Sequence, residues 1–139
     1  MEVASCCLGP FEWDGKSTGR TDKLAGKGAY TTSDNPDVAI LLVHDLLGWT
    51  FSNARLLADH YAHEANAAVY VPDFFGGWVV DFEPVPAGRF HEIDLEDFHK
   101  SNGRKIRESE IFNFTRALRK NIIRSQPRSP AMEGGLCFD

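Results

Sequence analysis

The sequence predicts an α/β fold, with a mostly parallel sheet of about four strands and flanking helices. Two short apolar runs, Val38–Val43 and Ala68–Val71, are each bounded by turn-forming residues, which is typical of strands buried on both faces. Between these runs, apolar residues recur at helical spacing over residues 51–66. The order strand, helix, strand indicates a βαβ unit with a right-handed crossover.

The rest of the chain carries weaker signals. Leu24 to Thr32 has some strand character, interrupted by Gly26 and Gly28. A second helix is predicted over residues 104–123. The stretch 76–103 shows no hydrophobic periodicity and is predicted to be a long surface excursion. The 139 residues therefore fit one domain. Its predicted parts are an N-terminal loop region (1–23), a βαβ core (24–123) and an irregular tail (124–139).

Composition limits the classes of function. A hydrophobic share of 42% permits a core, and a net charge of −5 argues against nucleic acid as a partner. Along the nine Lys and Arg residues from Lys100 to Arg128, aromatic residues are not interleaved in the way that nucleic-acid platforms need, which favours a solvated helix face over a binding platform. No apolar stretch is long enough for a membrane span, and the N-terminus lacks the pattern of a signal peptide.

The cysteines and histidines point to a cytoplasmic protein without a metal or other cofactor. The three cysteines include the vicinal pair Cys6-Cys7, and an odd number argues against a disulfide framework, so reduced thiols are expected. His60 and His63 lie three residues apart on the predicted helix. No cysteine or third histidine completes a zinc-ligand set with them.

The strongest candidate site is His44–Trp49, which directly follows the first apolar strand. In parallel α/β sheets the carboxyl edge is where binding and catalytic sites are built, and a backbone N–H there could stabilise an oxyanion. The alternative is that Asp45 and Gly48 only form the turn into the next helix. Val71–Gly77 follows the second strand, where Phe74 and Phe75 could line a pocket or simply cap the core.

A third motif lies close to the last residue given. Nucleophile elbows have the form Gly-x-nucleophile-x-Gly, because the nucleophile occupies a tight, strained turn between a strand and a helix. Gly135–Phe138 places Cys137 in the nucleophile position, but Asp139 stands where the final glycine is expected. The alternative is an ordinary thiol near a chain terminus.

Taken in order, these segments resemble the dienelactone hydrolase family of α/β hydrolases, especially its fungal members. The resemblance covers most of residues 6–120 and is strongest over Leu41–Trp49. The other segments that carry it are Cys6-Cys7, Phe11–Gly15, Leu24–Gly26, Tyr30, Asn53–Asp59, Val71–Gly77 and Arg116–Arg119. It implies a partial α/β-hydrolase fold and a hydrolase that acts on carboxylic esters or lactones through a cysteine nucleophile.

The resemblance also implies roles for particular residues. Cys137 would be the nucleophile, and Asp45 would be the acidic residue beside it. The backbone N–H groups of Leu46 and Phe138 would form the oxyanion hole. Trp49, Phe74 and Phe75 would contact a small-molecule ester or lactone substrate.

One departure puts activity in doubt. The family order is nucleophile, acid, then histidine, whereas all five histidines of this sequence precede Cys137. The sequence is therefore expected to be a truncated, impaired hydrolase. The alternative is a non-catalytic fragment or pseudoenzyme that serves as a binding or oligomerisation module and self-associates through an exposed sheet edge. A flavodoxin-like binding domain is a third alternative, although the sequence lacks a glycine-rich phosphate loop.

Overall fold

The computed structural model describes residues 12–35 and 37–125. The described strands are β1 (Arg20–Leu24), β2 (Lys27–Thr32), β3 (Ala39–Leu41) and β4 (Ala68–Pro72). The described helices are α1 (Ser52–Ala65), α2 (Leu95–Asn102) and α3 (Arg104–Ser125), with one turn of 3-10 helix at Phe90–Glu92.

The four strands form a single mixed sheet in the order β1-β2-β4-β3. The α/β class and the number of strands are confirmed, but the prediction of a mostly parallel sheet is wrong for the described residues. Only β3 and β4 run parallel, whereas β1 pairs antiparallel with β2 and β2 with β4. The reason is that residues 20–32 fold back as a hairpin instead of forming one interrupted strand, and this hairpin uses four residues of the expected N-terminal loop.

Helices cover both faces of the sheet. On one face α1 contributes Ala58 and Ala62 to a core that also contains Tyr30, Val69 and Val71. On the other face α3 packs Phe114 and Leu118 against Ala29 and Phe74. Every one of these nine side chains is at least nine-tenths buried, and burial of apolar area on this scale is the main force that holds the layers together.

Strand β3 is shorter than its prediction. The apolar run Val38–Val43 predicts a strand buried on both faces, but β3 covers only Ala39–Leu41, at the edge of the described sheet. Its side chains are half-buried, while Val38 and Val43 are 47% and 57% exposed. An apolar run shows that both faces of a strand are covered and carries no information about a lateral neighbour.

Several residues that carry the family resemblance fix the N-terminal segment onto α1. Asn53 Oδ1 accepts the Trp13 N–H at 2.7 Å, and Asp59 Oδ2 accepts the Thr18 N–H at 2.8 Å. The other Asp59 oxygen accepts the Tyr30 hydroxyl at 2.6 Å. The Asn53–Asp59 segment therefore has a structural role, because it ties the segment before β1 to the helix.

Residues 76–103, predicted to be a surface excursion, contain α2. Asp94 caps this helix by accepting the Asp97 N–H at 2.8 Å, which is a favourable N-cap arrangement. Among the described residues, no helix combines the length and apolar character that a bilayer crossing requires.

Candidate functional site

Two loops meet at the carboxyl edge of the parallel pair β3–β4. His44–Trp49 follows β3, and Asp73–Gly77 follows β4. Because parallel strands bring their carboxyl ends to the same edge, the loops are neighbours, and the Phe74 N–H donates to His44 Nε2 at 3.3 Å. The two motifs singled out in the sequence therefore belong to one region.

His44 is the residue that joins the two loops. The residue is 5% exposed, and its ring makes an edge-to-face contact with Phe75, with centroids 4.7 Å apart. Since Nε2 accepts from Phe74, Nδ1 carries the proton and donates to the Asp45 carbonyl at 2.8 Å. Both ring nitrogens are thus engaged, and His44 is not placed to exchange protons with a substrate.

Asp45 shapes the turn after β3. One oxygen of its exposed carboxylate accepts the Leu47 N–H at 2.9 Å, and its carbonyl accepts the Gly48 N–H at 3.1 Å. Gly48 adopts φ of 87°, and an added Cβ would lie 2.3 Å from a Val79 methyl carbon, so only glycine fits. Asp45 and Gly48 therefore both take part in this turn, and within residues 12–35 and 37–125 the second Asp45 oxygen has no hydrogen-bond donor.

Leu46 is held in the same turn by its carbonyl group, which accepts the Val80 N–H at 2.8 Å. Its own N–H finds no acceptor among the residues that the structure describes. An unoccupied amide at the end of a strand is the type of donor that an oxyanion hole requires.

A cavity of about 410 Å³ lies next to this turn, between the end of β3 and α1. Asp45 and Asn53 provide its polar groups, and the Asn53 amide already bonds the Trp13 backbone. The remaining walls are mostly apolar: Trp13, Leu42, Val43, Leu47, Phe51, Ala54, Leu57 and Phe82. A concave apolar space with few polar groups is typical of small-molecule sites.

The three aromatic residues predicted to contact substrate do not line this cavity. Phe74 is fully buried and packs edge-on against Phe114 at 5.7 Å, so in this conformation it belongs to the core. Trp49 packs against the α1 face, with the Arg55 guanidinium 5.5 Å from its ring. Phe75 lines a separate cavity of about 340 Å³ beside α3.

Phe51 and Phe82 form part of the cavity wall, with ring centroids 5.2 Å apart, and neither was predicted from the sequence. Phe51 lies at the N-terminus of α1. Its position, just before the apolar residues that recur at helical spacing, could have indicated a pocket. Phe82 could not be predicted as a cavity residue, because the sequence around it shows no hydrophobic periodicity. Cys137 and Phe138 lie outside the described residues, so their roles stay predictions.

Within residues 12–35 and 37–125, no group of three or more His, Cys, Asp or Glu side chains is arranged to hold a metal ion.

Comparison with known proteins gives one curated relative. Over 94 residues, which are 66% of this chain, the sequence is 30% identical to "Hydrolase tropI" of Talaromyces stipitatus. The aligned part is 35% of that protein, so the chain spans about a third of the length of the relative it matches. No protein-family model and no solved structure match the chain. The similarity supports a relationship to a hydrolase.

Proposed function

We propose that this chain is a hydrolase-type protein for carboxylic esters or lactones, and that its described part supplies one side of the substrate site. The observation that carries the proposal is the Leu46 N–H, which has no acceptor in the described part of the chain and lies in the turn beside the apolar cavity that Asp45 lines. The similarity to a fungal hydrolase supports the same class of reaction. An ester's acyl group would occupy the cavity, with its carbonyl oxygen directed at the Leu46 amide.

In the proposed mechanism Cys137 is the nucleophile. Its thiolate forms a bond to the substrate carbonyl carbon, and the Leu46 and Phe138 amides stabilise the resulting oxyanion. Collapse of this intermediate breaks the bond to the leaving alkoxide, which takes up a proton from water. A second water molecule then attacks the thioester and releases the acid, and the thiolate is regenerated. This is the dienelactone-hydrolase type of chemistry that the sequence resemblance implies.

Slow turnover is expected from the described residues, because both nitrogens of His44, the histidine of the candidate site, are already engaged. A thiol without a neighbouring base is mostly protonated at neutral pH. Loss of one member of a catalytic triad lowers the rate by several powers of ten in comparable hydrolases.

The test is hydrolysis of p-nitrophenyl acetate by the purified chain, by Cys137→Ala and by the control Cys6→Ala. We expect a low rate that Cys137→Ala abolishes and Cys6→Ala retains. Mass spectrometry should detect an acetyl group on Cys137 in the first turnover. Equal rates for the wild-type chain and Cys137→Ala would rule out the cysteine mechanism.

The second candidate is a non-catalytic binding module on the same scaffold. The state of His44 favours this candidate, because the histidine is buried and both of its ring nitrogens already take part in hydrogen bonds. His44 therefore cannot act as a base. In that case a hydrolysis-resistant ester analogue would still quench the fluorescence of Trp13 at the cavity wall. No acetylated thiol would form.

A further inference from the structure

The cavity beside the turn after β3 has room for an apolar chain. Phe51, Ala54 and Leu57, spaced three residues apart, line it from the start of α1. Leu42 and Val43 line it from the end of β3. Its volume of about 410 Å³ is much larger than an acetyl group and lies within the range of small-molecule sites. Several methylene groups of a substrate can therefore leave water there.

Asp45 gives this apolar wall its charge. Among the described residues that line the cavity, no other side chain is charged. The carboxylate is exposed, and one of its oxygens accepts the Leu47 N–H at 2.9 Å. The negative charge therefore has a fixed place in the same turn as the Leu46 amide, and Coulomb repulsion disfavours a second negative charge beside it.

Two positive groups belong to α1, and both have other partners. The Arg55 guanidinium lies 5.1 Å from the centre of the Tyr30 ring and 5.5 Å from that of Trp49, and neither ring lines the cavity. The N-terminal end of α1 carries the positive end of the helix dipole. Glu12 already supplies a carboxylate there, because it accepts from Ser52 Oγ at 2.8 Å. Neither group therefore offsets the charge of Asp45.

We propose that the cavity takes the acyl chain of an uncharged aliphatic ester or lactone, and that Asp45 selects against substrates with a carboxylate close to the reacting carbonyl. This proposal rests on the proposed function, because it requires the carbonyl oxygen to lie at the Leu46 amide. With the carbonyl there, the acyl chain meets the apolar wall, and a nearby carboxylate meets Asp45. Longer chains bury more apolar area and bind more tightly until the cavity is full.

The first test is a titration of the full chain with methyl ketones, followed by proton–carbon and proton–nitrogen NMR spectra. These ketones have the carbonyl and chain of an ester and are not hydrolysed. Methyl ethyl, methyl butyl and methyl hexyl ketone should bind with increasing affinity, by about two- to fourfold for each CH₂ group buried. The methyl signals of Leu47, Ala54 and Leu57 should shift. Equal affinities, or shifts confined to residues outside the wall, would overturn the proposal.

The second test compares levulinate with methyl isopentyl ketone, which has an isopropyl group in place of the carboxylate and nearly the same shape. The wild-type chain should bind the ketone at least about tenfold more tightly, because an unpaired charge is costly beside apolar walls. Asp45→Asn keeps an oxygen for the Leu47 N–H and removes the charge. It should improve the affinity for levulinate by about threefold or more, leave that for the ketone unchanged, and lose its effect at high salt.

The control for charge is Asp22→Asn. Asp22 is also exposed and accepts a backbone N–H, that of Lys23, but it does not line the cavity. This variant should leave the affinities for levulinate and for the ketone unchanged. An equal gain in levulinate affinity for the two Asn variants, or no gain for Asp45→Asn, would show that Asp45 is not the selecting residue.

The control for location uses one substitution at two places on α1. Ala54→Phe fills the cavity and should weaken methyl hexyl ketone more than methyl ethyl ketone, whereas Ala65→Phe, at the exposed end of the helix, should weaken neither. Far-UV circular dichroism checks folding, and Asp45→Asn decides the matter if Ala54→Phe does not fold. Ketone binding needs no turnover. An inactive chain that shows the length and charge effects would contradict the cysteine mechanism and support this proposal, whereas hydrolysis of p-nitrophenyl acetate without these effects would overturn this proposal alone.

Discussion

At the scale of single residues, His44 is the most informative side chain of the candidate site. A histidine at the end of a strand, followed by an aspartate, suggests proton transfer. Its surroundings show a different role, because the ring accepts a hydrogen bond from the loop after β4 and donates one to the Asp45 carbonyl of its own loop. It thereby positions the turn that contains Asp45 and Leu46, and the proposed reaction uses the Leu46 amide of this turn.

His44→Phe tests this role, because it keeps a ring of similar shape and removes both hydrogen bonds. The Phe74 N–H, on a fully buried residue, would then lack an acceptor. An unsatisfied buried donor costs about 1–3 kcal/mol, so the free energy of unfolding in urea should fall by that amount. His60→Phe, on the exposed side of α1, should change it by less than about 0.5 kcal/mol. Equal stability of the two variants would contradict the assignment.

At the scale of elements, the β1–β2 hairpin carries strain at one position. Its two-residue loop has φ of 52° at Ala25 and 78° at Gly26, and the left-handed conformation costs an L-residue other than glycine about 1–2 kcal/mol. Asn-Gly is the preferred pair for such loops. Ala25→Asn should therefore raise the free energy of unfolding by up to about 1 kcal/mol. Ala87→Asn, at an exposed turn residue whose own φ is not positive, should not, and a gain of the same size there would refute the explanation.

Elements in which apolar residues recur at a regular spacing were predictable from the sequence. The helix expected over 51–66 is α1, and Asn66 closes it with φ of 47°, as its tolerance of this conformation predicts. The hairpin was missed because its loop holds alanine where Asn or Gly would have signalled a turn. Helix α2 was missed although Asp94 and Asp97, three residues apart, form a recognisable start signal.

The candidate site was predictable in location and only partly in composition. Strand ends identify the loops that contain Asp45 and Leu46, because their place follows from the parallel pairing of β3 and β4. The cavity wall was not predictable. Phe82 reaches it from a stretch without a period, and whether Phe74 faces a pocket or the core depends on the placement of α3.

At the scale of the whole molecule, one ionic cluster connects the layer of α3 to the hairpin. Glu110 Oε2 accepts from Lys27 Nζ at 2.7 Å and from Arg107 at 2.9 Å. The hydrogen bond from Lys27 is the main reason that the pKa of Glu110 is lowered, with Arg107 adding to the effect. The carboxylate is about one-third exposed, so solvent screening limits its contribution to about 1 kcal/mol or less.

The direction of this pKa shift fixes how stability depends on pH. A carboxyl group whose folded pKa lies below its unfolded value stabilises the fold at pH values above the unfolded pKa, and this stabilisation is lost as the pH falls through the folded pKa. Wild-type protein should therefore be more stable than Glu110→Gln at neutral pH, and the two should converge on acidification. Glu108→Gln, which removes an i,i+4 pair with the largely exposed Arg104, should show a smaller difference. Thermal unfolding at several pH values measures both, and a Glu110→Gln difference that persists in acid would mean that the hydrogen bonds to Glu110 act independently of its charge.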